Sequence, residues 1–244
     1  MANSFEHQLE QLSVRAKTKH SALDTKSTGQ VFGTIEDCDV EILKNEVAKL
    51  RPSVVFEIGT WIGTSSLVMA LAMEDAAIEG EIYTCDINDY SVLPPNTPVN
   101  IPKESSVTAI DHIPQDKTID MVFVDGELDF ATLRKLMPRL SSNARILMHD
   151  YTLPCEKGVL NFIRLQWVSA FTFAFIRPEK IDLLTSIIII ANRRDQTVST
   201  EDWSRNRIRV GLYVLRISLF ALSNKVLRKF NGYYKRGGQK ATTN

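Results

Sequence analysis

Long apolar runs are missing: nowhere does this 244-residue chain approach the ~20 consecutive apolar residues that a membrane-spanning helix requires. Cysteine is scarce. Cys38, Cys85 and Cys155 lie far apart and form no C-x-x-C pair, which argues against a disulfide framework or a zinc–thiolate site and for a reducing, cytoplasmic setting. Met1 to Lys19 is polar and charged without an apolar h-region, so no secretory signal is expected there. An excess of either charge sign is also missing, because 29 basic residues balance 29 acidic ones. That balance hides an asymmetry. Every acid lies at or before Asp202, whereas ten of the basic residues fall between Arg205 and Lys240, so a body of charge −10 carries a tail of charge +10. Such a division points to a charged partner for the tail, or to the tail folding back on the body.

What is present is organised around Val54 to Ser66, an apolar run that ends in Glu57 and passes into a turn punctuated by Gly59 and Gly63. Leu67 to Met73 then reads as helix. A strand that stops at a glycine-rich turn and continues into a helix gathers backbone N–H groups and a positive helix end around one cavity, which suits a nucleotide-like ligand.

The rest of the chain repeats the strand–helix alternation. Phe5, Leu9 and Leu12 predict a short helix, followed by a Ser/Thr/Gly-containing loop to Gly33. Val40, Leu43, Val47 and Leu50 recur at helical spacing, with Pro52 as terminator. Glu81 to Asp86 is a second short strand ending in an acid. The stretch from Asn88 to Lys103 holds Pro94, Pro95, Pro98 and Pro102, which predicts a loop where α/β proteins usually carry a helix. A short helix over Ser106 to Ile113, a strand over Ile119–Val124, a helix over Phe130–Leu140 and a strand over Arg145–Met148 follow. Glu156 to Ser169 has helical spacing, and 171–176 with 186–191 reads as a terminal antiparallel pair. The pattern predicts a doubly wound, mostly parallel seven-stranded sheet, with ligands outside the carboxyl ends of its strands. Four of those ends carry acids: Glu57, Asp86, Asp125 and Asp150.

With these ends in view, Ile35 to Asn192 resembles the class I S-adenosylmethionine-dependent methyltransferases, and within them a group of small-molecule and sugar O-methyltransferases. The resemblance rests on Glu57-Ile58-Gly59-Thr60-Trp61-Ile62-Gly63, on Asp86, on Val122-Phe123-Val124-Asp125-Gly126, and on Ile146-Leu147-Met148-His149-Asp150-Tyr151 followed by Lys157-Gly158-Val159. It implies that S-adenosylmethionine is held by Glu57, Gly59, Thr60, Gly63, Ser65, Asp86, Ile87, Ser106 and Asp125, with Asp86 on the ribose hydroxyls. Gly59 and Gly63 would let the backbone approach the methionine part of the ligand. It further implies that Asp125, His149 and Asp150 carry catalysis. In related metal-dependent members, carboxylates at the ends of strands four and five hold a divalent cation such as Mg²⁺; Asp125 and Asp150 match them, and His149 falls where some members have another acid. His149 is then either a metal ligand or the general base. Two departures stand out. Ser105-Ser106 replaces an acid–Ser pair beside the adenine, and Leu128-Asp129 replaces a frequent histidine.

The resemblance makes the chain an enzyme that methylates a hydroxyl of a small molecule, with a sugar or glycolipid among the acceptors. Two alternatives stay open: a nicotinamide-dependent oxidoreductase, against which the turn lacks G-x-G-x-x-G, and a non-catalytic scaffold of the same fold acting through its tail. The domain reading is an N-terminal helix and loop over 1–34, the methyltransferase domain over 35–195, and a basic amphipathic extension over 196–244. Ile208 to Leu222 is too apolar for a free tail and too short and charged for a span. Residues 203–236 are expected to pack on the body, on a second copy, or on an anionic inner membrane surface, with nucleic acid the least favoured partner.

Overall fold

In the computed structural model the described residues are 5–24, 35, 37–97, 99–100 and 103–149, together with the backbone of 173–176 and 188–192. Helix α1 (Phe5–Lys19) and helix α2 (Asp37–Leu50) precede strand β1 (Val54–Ile58). Helix α3 (Thr64–Asp75) leads to β2 (Glu81–Cys85), and after a proline-rich loop come the two-residue strand β3 (Val99–Asn100) and the single-turn helix α4 (Ser106–Ala109). Strand β4 (Ile119–Val124), helix α5 (Phe130–Leu136) and strand β5 (Leu140–Met148) complete the α/β core. The five strands are all parallel, in the order β3-β2-β1-β4-β5. This is the Rossmann-like arrangement that the strand–helix alternation predicts, with β1 at the centre.

The central strands are apolar over most of their length because both sheet faces are covered. Phe56, Ile58, Val122, Val124, Ile146 and Met148 pack with Leu133 and Leu136 of α5 on one face. Val55, Met121, Phe123 and Leu147 pack with Val40, Leu43 and Val47 of α2 and with α3 on the other. Helix α3 is buried continuously from Ser65 to Met73. A helix that is apolar all round needs cover all round. The sheet and α2 supply one side, and Leu12 and Ala16 of α1 close over Leu67 and Leu71 on the other. Asp120, the one polar residue of β4, accepts from the Ser53 amide (2.9 Å) and hydroxyl (2.6 Å) and so anchors the start of β1.

Several boundaries differ from the sequence expectation. The α1 helix is longer than the apolar patch suggested, β5 begins at Leu140 instead of Arg145, and α5 gives way to a 3₁₀ turn at Met137–Arg139, where Pro138 has no amide proton to donate. The loop expected between Asn88 and Lys103 is present, apart from the short pairing of Val99 and Asn100 with β2. The expected terminal antiparallel pair falls on stretches of which only the backbone of β6 (Phe173–Ile176) and β7 (Ile188–Asn192) is described; these pair antiparallel with each other, and β7 runs antiparallel beside β5. The expected helix over 156–169 and the basic extension over 196–244 lie outside the described residues. No helix among the described residues is long and apolar enough to cross a membrane.

Candidate active site

The carboxyl ends of β1, β2, β4 and β5 meet through main-chain hydrogen bonds that continue past the strands. The amide of Gly59 donates to Cys85 O (2.9 Å), that of Asp125 to Ile58 O (2.8 Å), and that of His149 to Val124 O (2.9 Å). These bonds line up the Gly59 turn, Asp86, Asp125 and His149 along one edge.

The turn after β1 is built from inside. Glu57 points into the protein, with no exposed surface, and accepts hydrogen bonds from Ser65 Oγ and Ser66 Oγ at the start of α3. A fully buried carboxylate loses its hydration, so burial pushes the Glu57 carboxyl up from about 4.5 to about 7, against the opposing pull of the Ser65, Ser66 and Thr84 hydroxyls. Thr60 Oγ1 and Thr84 Oγ1 are joined at 2.7 Å beside it. Glu57, Ser65 and the Thr60 hydroxyl thus support the turn from below; the cleft lies above them.

Both turn glycines have a left-handed φ, +98° at Gly59 and +96° at Gly63. The structure also gives a reason for them other than approach to a ligand. A Cβ on Gly59 would stand 2.8 Å from the Gly126 amide nitrogen, and one on Gly63 would stand 2.6 Å from Leu93 Cγ. The close neighbours are the protein's own β4 end and the proline-rich loop.

Asp86 braces the same turn from the side. Its Oδ2 accepts from the Trp61 amide at 3.0 Å, its Oδ1 from the Asn88 amide at 3.0 Å, and the carboxylate stays partly exposed. Ile87, next to it, is 76% exposed, an unusual position for an isoleucine unless something apolar rests there. Beyond them a cavity of about 280 Å³ opens between Thr60, Asn88, Asp89, Leu93, Pro94 and Lys103. Lys103 closes one wall by pairing with Asp89 at 2.6 Å, and that hydrogen bond holds the Asp89 carboxyl below the usual range. Ser106, expected beside the adenine, joins its hydroxyl to Thr132 Oγ1 of α5 at 2.8 Å.

On the other side of the turn stands an acid–imidazole–acid arrangement. His149 Nδ1 lies 2.9 Å from Asp125 Oδ1, and His149 Nε2 lies 3.2 Å from Asp39 Oδ2. The imidazole is 10% exposed, Asp125 16% and Asp39 not at all. Asp39 was not among the expected site residues. It reaches the site because α2 runs antiparallel into β1, so its first turn sits over the carboxyl edge of the sheet. A signal existed: Asp39 and Glu46 fall on the same helical face as Leu43, Val47 and Leu50, and a buried acid needs a partner. Asp150, expected as the third catalytic residue and metal ligand, lies outside the described residues.

The donor set suits a nucleoside carrying a charged tail. Gly63 begins the 12-residue helix α3 with no side-chain cap on its first amides, and Thr64 Oγ1 is buried with no hydrogen-bond partner among the described residues. Asp86 offers carboxylate oxygens to a diol, and Ile87 offers an apolar face to a base. For a cation the fit is poorer: both His149 nitrogens face carboxylates, and no group of three His, Cys, Asp or Glu among the described residues could hold a metal ion.

Residues 56–151 match a family model described as a methyltransferase domain. No curated protein sequence matches the chain. Among solved structures, an O-methyltransferase from Bacillus cereus in complex with S-adenosylhomocysteine is similar at 14% identity and a TM-score of 0.55, over 79% of this chain and 92% of that one. An O-methyltransferase from Streptomyces achromogenes involved in tomaymycin synthesis, in complex with S-adenosylmethionine, is similar at 14% identity and a TM-score of 0.57, over the same two shares. A Podospora anserina methyltransferase with S-adenosylhomocysteine bound gives 15% identity and a TM-score of 0.52, over 76% and 88%. At such identities the likeness is one of fold.

Proposed function

We propose that this chain, an S-adenosylmethionine-dependent methyltransferase in its domain and fold, transfers a methyl group to a hydroxyl of a small molecule. The observation that carries the reading is the hydrogen bond from the Asp125 amide to Ile58 O, because it sets the Gly59 turn beside the Asp125–His149 pair. A donor site and a proton-handling site are thereby neighbours on one sheet edge. We read the full sheet as seven-stranded, with β6 and β7 as its antiparallel end.

When bound, S-adenosylmethionine would supply an electrophilic methyl group on its sulfonium. The chain's own residues do the rest. Asp86 accepts from the ribose hydroxyls, Ile87 covers an adenine face, and the first amides of α3 meet the carboxylate of the methionine part. Gly59, Gly63, Glu57, Thr60, Ser65 and Ser106 act in the donor site, mostly by holding its shape. Asp125, His149 and Asp150 orient the acceptor hydroxyl in line with the methyl group and take up its proton as the new C–O bond forms and the methyl–sulfur bond breaks, its electron pair staying on sulfur as a neutral thioether. A sugar or glycolipid acceptor fits a site rich in carboxylates, which bind hydroxyls well. The described residues do not build a cation site, and a chelator added to the transfer assay tests a metal requirement by itself. The basic extension is proposed as a surface for a second copy or an anionic membrane.

Calorimetry with S-adenosylmethionine and with NAD separates the reading from an oxidoreductase: binding of the first alone is expected, and binding of NAD alone would reject it. Transfer is then assayed by mass spectrometry on a panel of small hydroxyl compounds, saccharides included. Asp150→Ala and His149→Ala are expected to abolish transfer while donor binding persists; undiminished turnover in both would remove them from the mechanism.

A further inference from the structure

Helix α2 is bound to β5 and the residue that follows it by two polar rungs, and only one of them belongs to the candidate site. Asp39 and Glu46 are seven residues apart on one face of α2, ~10 Å along its axis. Arg145 of β5 and His149, which directly follows the strand, are four residues apart, ~13 Å of extended chain. Because α2 and β5 run in opposite directions, Glu46 meets Arg145 at the lower end and Asp39 meets His149 at the carboxyl edge. Both acids are buried, Glu46 7% and Asp39 0% exposed. A second acid at the lower rung would serve packing alone. The upper rung differs, since its imidazole also lies 2.9 Å from Asp125 and is tilted against Phe123, with ring centroids 6.2 Å apart.

We propose that Asp39 is a positioning residue of the methyl-transfer site: from the first turn of α2 it grips His149 Nε2 and fixes the imidazole plane, and through Nδ1 it fixes the carboxylate of Asp125. Without Asp39 the imidazole loses the contact at Nε2 that sets its plane. The Asp125 carboxylate, in contact with Nδ1 of the same ring, is then held less firmly. This proposal rests on the transferase reading for its catalytic consequence, but the grip itself is a matter of geometry.

The test uses the full chain labelled with ¹⁵N-histidine. The His149 ring N–H resonances are assigned by their loss in His149→Gln, and are compared among wild type, Asp39→Leu, Asp39→Asn and Glu46→Gln. A protected Nε2–H resonance is expected in the wild type, absent in Asp39→Leu, shifted but present in Asp39→Asn, whose amide oxygen still accepts, and unchanged in Glu46→Gln, which loosens the same helix without touching the ring. With a hydroxyl compound that the wild type methylates, kcat is expected to fall roughly tenfold or more in Asp39→Leu, with KM for S-adenosylmethionine unchanged. An Nε2–H resonance that survives unaltered in both Asp39 variants overturns the proposal, and so does full kcat in a variant that has lost it. If Asp39→Leu does not fold, Asp39→Asn alone decides through the same two readouts. A wild type that binds no S-adenosylmethionine rejects the transferase reading instead, while the ring resonance still decides the grip.

Discussion

A side chain on Gly59 would collide with the main chain of Gly126: the two backbones are so close that an added Cβ stands 2.8 Å from the Gly126 nitrogen and 2.9 Å from Asp125 C. The turn proposed to hold the methyl donor and the strand end proposed to handle the acceptor are therefore pressed together, main chain against main chain.

Gly59→Ala should consequently cost about 2–4 kcal/mol of stability, combining the left-handed φ with a clash that has no flexible partner. Gly63→Ala should cost less, because its close neighbour is the Leu93 side chain, which can turn aside. Urea unfolding of both variants tests the order. Leu93→Ala should relieve Gly63→Ala in part and leave Gly59→Ala unrelieved.

Glu57 predicts a pH dependence. Its folded carboxyl titrates near 7 and its unfolded one near 4.5, so between those values the folded state holds the extra proton. Stability contributed by this group is thus present at low pH and lost as pH rises from about 4.5 to about 7, by at most about 3 kcal/mol. Glu57→Gln, which cannot ionise, should flatten the difference in thermal unfolding midpoint between pH 5 and pH 8. An equally steep profile in the variant would show that other groups set it.

Asp86 does two things, bracing Trp61 and Asn88 and presenting oxygens at the cleft. Asp86→Ala should weaken S-adenosylmethionine binding by about 2 kcal/mol or more, because it removes charged acceptors from a diol and loosens the turn at once. Asp86→Asn keeps two acceptor lone pairs and should fall between. Calorimetry gives both numbers, and an unchanged affinity in Asp86→Ala would take ribose binding away from this residue.

Glu46 and Arg145 form a buried ion pair, with side chains 9% and 5% exposed. Glu46→Gln removes the negative partner of a buried pair and should cost about 3 kcal/mol, whereas replacing both residues by Met and Leu should recover most of that loss, since burying an ion pair is itself expensive. Chemical denaturation of the two variants checks the sign of the difference.

The sheet is legible in the sequence because its cause is local. Val54–Ile58 and Ile119–Val124 are apolar at every position but Glu57 and Asp120, as strands covered on both faces tend to be, and the prolines of 94, 95, 98 and 102 exclude a regular helix from the loop that holds them. The acids at Asp86 and Asp125 were legible as strand ends for the same reason. What they touch was not. Glu57 looks like a cleft residue in the sequence, yet alternation along β1 and two serines on α3 turn it inward, and nothing in the linear order says that Ser66 lies within reach.

Asp39 marks the boundary most clearly. Its place on the apolar face of α2 was written in the chain at helical spacing, so burial could have been inferred from residues 39 to 50 alone. Its partner could not, because His149 is 110 residues away and the two meet only when α2 crosses β5 in the opposite direction. The sequence by itself determined the elements, their order and the chemistry waiting at the strand ends, since these depend on local periodicity and residue type. Only the tertiary structure decided which carboxylate faces which imidazole nitrogen, because that depends on how one helix lies across the sheet.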